Sequence, residues 1–261
     1  MELFYFSPAQ FKIFILILTR VSVVLFMFPL FASSMIPALV KAGLAMVMTL
    51  ILFPVVPVDP RFFPENIVDT GILIVSELFI GLVLALSVQL FFGAAQLAGQ
   101  LIGFQMGFSI INVLDPQTGT QVSIIDQIGF EVVFVIFLLL NGHHALIHAL
   151  VESFRIVHFG SIDLHPGFLA RVVELSADMF MLAVKMGSPA IAALLFTSAA
   201  FGICAKFMPQ MNILIAAFPV KIVVGLFFFG LSFQVIALLT ESYFSRFPAL
   251  LTFLLKSAVG G

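Results

Sequence analysis

Tryptophan is absent from this 261-residue chain, tyrosine occurs only at Tyr5 and Tyr243, and cysteine only at Cys204. One cysteine excludes an intrachain disulfide, and its apolar neighbours Ile203 and Ala205 suggest a small buried hydrophobe rather than a reactive thiol. Charge is scarce too, at 9% of residues against about 25% in a soluble domain. The 11 basic and 13 acidic side chains are spread thinly, with no basic cluster to neutralise phosphates, so nucleic acid is excluded as a partner. Walker-A, dinucleotide-binding and Gly-x-Ser-x-Gly patterns are missing, and nothing calls for a cofactor or points to an enzyme.

What fills the chain is apolar: 62% hydrophobic residues, 33 of them phenylalanine, with a mean hydropathy of +1.24. That excludes a water-soluble globule and predicts an all-α, polytopic membrane-associated bundle in contact with lipid. Spans of about 20 apolar residues, bounded by proline, glycine and charge, fall near 10–31, 36–57, 67–104, 124–141, 168–205 and 211–242, with 143–157 as a shorter helix. These runs follow one another closely, so residues 1–261 read as one domain. Lys12 and Arg20 interrupt the core a signal peptide would need, and the first segment is expected to be retained.

The link from Pro54 to Glu65 carries four prolines that cannot continue a helix. A helix over 67–104 would be roughly 57 Å long against a hydrocarbon core of about 30 Å, so it must bend, tilt sharply or leave the lipid. Without aromatic belts, and with Arg61, Lys206, Arg246 and Lys256 giving no consistent positive-inside signal, much apolar surface is expected to face other subunits.

Ala95, Gly99, Gly103 and Gly107 recur every four residues, a stripe where another backbone can approach closely; ordinary intramolecular packing explains it equally well. Gln89, Gln96 and Gln100 share an adjoining face. Met106-Gly107-Phe108 leads into a run through Ile110, Ile111, Asn112 and Leu114 to Asp115-Pro116, which reads as a structured loop. It is either a plain surface loop or a re-entrant element, since irregular backbone at membrane depth survives only inside protein or along a cavity. Arg20, Glu77 and Lys185 are read as buried charges, ionisable residues in apolar runs that need partners or water; Arg20 and Glu77 are expected to pair. His144, His148 and Glu152 lie on one helical face, read as an interfacial polar face in preference to a metal site. Pro189, Pro209 and Pro219 mark kinks.

The run Ala94-Ala95-Gln96-Leu97-Ala98-Gly99-Gln100-Leu101-Ile102-Gly103-Phe104-Gln105-Met106-Gly107-Phe108, followed by Asp115-Pro116, resembles the central signature of the FliR family. Arg20 with Phe28-Pro29-Leu30-Phe31 and Ile36-Pro37, Glu77-Leu78-Phe79-Ile80-Gly81, Asn141-Gly142-His143-His144, Ser153-Phe154, and Met211-Asn212-Ile213 through Phe218-Pro219-Val220-Lys221 follow in the family's order. Together they cover nearly the whole chain.

The resemblance implies a subunit of the flagellar type III protein-export gate at the basal body in the bacterial inner membrane. It would assemble with FliP and FliQ, be contacted by FlhB and FlhA, and pass unfolded export substrates. It further implies long bent helical hairpins, and a loop near 106–122 that closes the pore. The plug role would fall on Met106, Phe108, Ile110, Ile111, Asn112 and Leu114. An injectisome homologue shares that architecture. A secondary transporter using Arg20, Glu77 and Lys185, or an intramembrane enzyme using the histidine face, stand further off.

Overall fold

The computed structural model describes residues 8–32, 36–56, 66–108, 124–160, 166–208, 210 and 212–258. Its elements are α1 (Pro8–Met27), α2 (Pro29–Ala32), α3 (Ala38–Leu52), α4 (Ile67–Met106), α5 (Ile124–Leu139), α6 (Gly142–Ile156), α7 (Pro166–Phe207) and α8 (Ile213–Ser257). The described residues contain no strand. Four helices, α1, α4, α7 and α8, are long and apolar enough to cross a membrane, or five spans if α5 and α6 count as one.

Local chemistry sets the boundaries. The expected first segment divides at Phe28, because Pro29 has no amide to continue α1 and instead opens α2. α3 begins after Pro37 and stops short of Pro54. Asn66 starts α4, its Oδ1 accepting from the Val68 amide at 3.4 Å, a long contact, and its carbonyl accepting from the Thr70 hydroxyl at 3.0 Å. α5 ends at Asn141, which takes the left-handed conformation (φ 56°) open to few residues besides glycine.

Proline does not stop α7. Pro189 leaves the carbonyl four residues back, that of Lys185, without its helical amide, and the Ser188 hydroxyl donates to that oxygen at 2.9 Å. α8 runs fifteen residues beyond the expected end at 242. Its polar residues Glu241, Ser242, Ser245 and Arg246 are exposed, as is Pro248, while Phe244, Phe247, Leu251 and Leu254 continue a buried stripe at helical spacing.

The chain divides into two compact units. One comprises residues 1–90, 143–175 and 246–261, the other 91–142 and 176–245. In the first, α1 packs against α3, with the Phe14 and Phe53 rings 6.3 Å apart. Gly81 lets α1 approach α4: a β-carbon there would lie 3.0 Å from both the Arg20 carbonyl and the Val23 Cβ. Gln89 closes the end of α1, donating from Nε2 to the Met27 carbonyl at 2.7 Å.

The second unit is built on phenylalanine. Phe92 is buried among Phe130, Phe134 and Phe137, and Phe91 stacks on Tyr243 with centroids 4.5 Å apart and meets Phe244 edge-on. Such rings fill large volumes with few rotatable bonds and gain from offset and edge-to-face geometry. They place these phenylalanines inside the unit, while others such as Phe104 and Phe227 remain exposed.

Candidate functional site

In the first unit Arg20, inside the α1 span, is fully buried, as is Glu77 on α4. Arg20 Nε donates to Glu77 Oε2 at 2.7 Å, Nη1 to the Ser153 hydroxyl at 3.0 Å, and Nη2 towards the Val157 carbonyl at 3.4 Å. The guanidinium lies over the Phe154 ring, 4.2 Å from its centroid. One planar fork of donors thus joins α1, α4 and α6, which a lysine ammonium could not match. Gly81 sits one turn beyond Glu77, so the close approach and the ion pair share one helix–helix contact.

Lys185, grouped with these charges in the sequence, is exposed on α7 instead. The expected burial of its charge does not occur, and Cys204, expected as a small buried hydrophobe, is exposed on the same helix. His144, His148 and Glu152 are likewise exposed on α6. Glu152 pairs with Arg155 at 3.5 Å, and among the described residues no set of three metal-ligand side chains comes together.

The second unit holds the small-residue stripe. A β-carbon on Gly99 would fall onto the Asp126 backbone, 2.7 Å from its nitrogen and 2.8 Å from the Ile125 carbonyl. Ala95 is buried one turn earlier, and its carbonyl would lie 3.5 Å from a β-carbon on Gly129. The stripe therefore receives the first turns of α5. Gln96 and Gln100 face outward beside it. Asp126 is 4% exposed in the first turn of α5, where a helix N-terminus favours negative charge, and its Oδ1 has no hydrogen-bond partner.

Gly103 and Gly107 end α4. Gly107 (φ 93°) lies one residue past the helix; its amide donates to the Phe104 carbonyl at 3.0 Å, and the Phe108 amide donates to the Gly103 carbonyl at 3.1 Å. This crossed pair is a Schellman cap, which demands the left-handed backbone that glycine supplies. Met106 is fully buried with Ile102, Ile125, Ala190, Leu194 and Phe229, and Phe108 packs on the same cluster. Residues 106–108 are thus held in the core, while Ile110, Ile111, Asn112 and Leu114 lie outside the described residues.

Gly107→Ala would meet both the left-handed backbone and the Phe218 ring, 2.7 Å from the added carbon. The backbone alone disfavours it by roughly 1–2 kcal/mol. The expected result is a lower melting temperature of the purified protein assembly and faster proteolysis near residue 108.

Sequence reading does not single out Phe218 or Gly225 as partners of Met106 and Gly107, nor Ser153 as a partner of Arg20. The signals for them are a glycine inside the apolar run 213–240 and a serine on the same helical face as Ala149.

Four long apolar helices, a charge pair sealed inside one unit and broad exposed apolar faces, such as Leu39, Phe196 and Phe207 at 77–85% exposure, define a polytopic helical membrane protein. Residues 11–247 match the model of the bacterial export proteins, family 1. The chain is 33% identical to the flagellar biosynthetic protein FliR of Bacillus subtilis over 241 residues, covering 90% of this chain and 91% of that one. It is 28% identical to FliR of Escherichia coli over 229 residues (88% and 87%) and 28% identical to FliR of Aquifex aeolicus over 243 residues (91% and 92%). The chain belongs to this family of bacterial export proteins, and these relatives are flagellar FliR proteins.

Proposed function

We propose that the chain is a non-enzymatic subunit of the flagellar type III export gate in the inner membrane, at the basal body. In that role it joins FliP and FliQ, and is contacted by FlhB and FlhA, in a gated conduit for unfolded flagellar substrates. Family membership supports the export role, and the flagellar names of its relatives favour it over the injectisome reading.

The observation that carries the gating part is the stem of the loop. A helix of 40 residues ends abruptly on a Schellman glycine, with Met106 and Phe108 fixed in the core. The chain re-enters at α5, packed on Gly99, roughly 10 Å back along α4 at 1.5 Å per residue. A segment between two such anchors, with Ile110, Ile111, Val113 and Leu114 near its start, can be presented to a passage without unravelling the bundle. In the closed state Met106, Phe108, Ile110, Ile111, Asn112 and Leu114 exclude water and ions; substrate displaces them. Arg20 and Glu77 act as a structural pair, which removes the coupling site on which a transporter reading rested.

The test is ion permeability of cells carrying the assembled complex, wild type against a deletion of residues 110–121. A leak with assembly intact is expected. An assembled, tight deletion would sink the plug.

A further inference from the structure

We propose that α8 carries a latch for the stem of this loop, with Gly225 as a socket for Met106 and Phe218 as a stop for Gly107, and that export requires Met106 to leave the socket. The inference rests on the gate reading above and adds the element that holds the gate closed.

Two consecutive stem residues meet α8 at positions seven apart. A β-carbon on Gly225 would lie 2.6 Å from Met106 Cγ and 2.7 Å from Sδ, and one on Gly107 would lie 2.7 Å from the Phe218 ring. Positions 218, 222, 225 and 229 share one face of a helix. On that face Ile222 and Phe229 belong to the cluster that buries Met106. Gly225 is the only one of the four without a side chain, and the gap it leaves is occupied by the thioether.

Glycine inside a helix costs roughly 0.5–1 kcal/mol relative to alanine, so its presence at the point of contact with Met106 is offset by the close approach it permits. Methionine suits a releasable fit, being unbranched and adaptable where a β-branched or aromatic knob would lock. Because Gly225 meets the last residue of α4 and Phe218 meets its cap, the stem cannot shift without breaking its contact with α8. Separation of Met106 from α8 is therefore the event that frees the loop.

The experiment uses the full chain in the assembled complex, in a Cys204→Ser background, with Met106→Cys and Gly225→Cys. Their β-carbons are at most about 4 Å apart, since Met106 Cγ is 2.6 Å from the Gly225 position, and a disulfide spans roughly 3.5–4.5 Å. Cross-linking is quantified by thiol labelling and peptide mass spectrometry, and secretion of flagellar substrates is measured before and after reductant.

With the bond closed, secretion is expected to fall at least tenfold and to recover on reduction, a reversibility that damaged folding would not show. Complete cross-linking with undiminished secretion would overturn the latch. The 110–121 deletion, assayed for ion leak in parallel, separates the two claims. A tight deletion with a blocking cross-link defeats the plug and leaves the latch as a required movement; a leaking deletion with a harmless cross-link defeats the latch alone. If the double cysteine does not assemble, Gly225→Ala carries the test: an ion leak is expected, and an assembled complex without one overturns the proposal.

Discussion

Arg20→Met is expected to abolish stable accumulation of the protein. It leaves the Glu77 carboxylate buried with no cation beside it, and strips a donor from Ser153 and from the Val157 carbonyl. Removing one partner of a buried pair typically costs about 3–5 kcal/mol, much of it from the charge left behind. Arg20→Met combined with Glu77→Leu is expected to recover most of the loss, because an apolar pair of similar volume has no charge to desolvate. Exchanging the charges, Arg20→Glu with Glu77→Arg, is expected to rescue poorly. The guanidinium reaches Ser153 and Val157 from α1, and an arginine on α4 points from a different backbone. Immunoblots of membrane fractions measure all three; full rescue by the exchange alone would show that only the sum of charge matters.

The second large effect lies at Gly99. Any side chain there meets backbone atoms of Ile125 and Asp126, which cannot rotate aside, so even Gly99→Ala forces α5 away from α4. Overpacking of this sort typically costs about 1–3 kcal/mol, and Gly99→Leu more. Loss of the assembled complex is expected for leucine, with partial loss for alanine. Gly43→Ala is the matched control: nothing lies within 4 Å of its β-position, and gaining a better helix former should be neutral or slightly stabilising. Equal damage from Gly43→Ala and Gly99→Ala would refute the close-approach account.

Much of this architecture is legible in the residues. The apolar run expected over 67–104 opens α4 at Ile67, and the small-residue stripe, readable as either packing or interface, receives α5. The Arg20–Glu77 distance of 2.7 Å follows from two opposite charges that each need a partner in an apolar run. What escapes reading is three-dimensional. Lys185 and Arg20 look alike in sequence, yet one projects outward and the other inward, because helical phase decides exposure and α7 carries no strong polar face to reveal it. Counting polar residues by number rather than by side of the helix puts the end of α8 too early. Gly225 cannot be assigned to Met106, since nothing local links positions more than a hundred residues apart.

The lengths of α4, α7 and α8, at 40, 42 and 45 residues, set a further condition. At 1.5 Å per residue each measures roughly 60–67 Å. Fitting 60 Å into a hydrocarbon slab of about 30 Å takes a tilt near 60°, beyond the roughly 0–40° that spanning helices adopt. A helix of this length that does not bend carries greasy side chains into water unless another protein covers them. A freshly inserted copy is in effect an orphan with sticky ends, and covering those ends is expected to govern how long it survives.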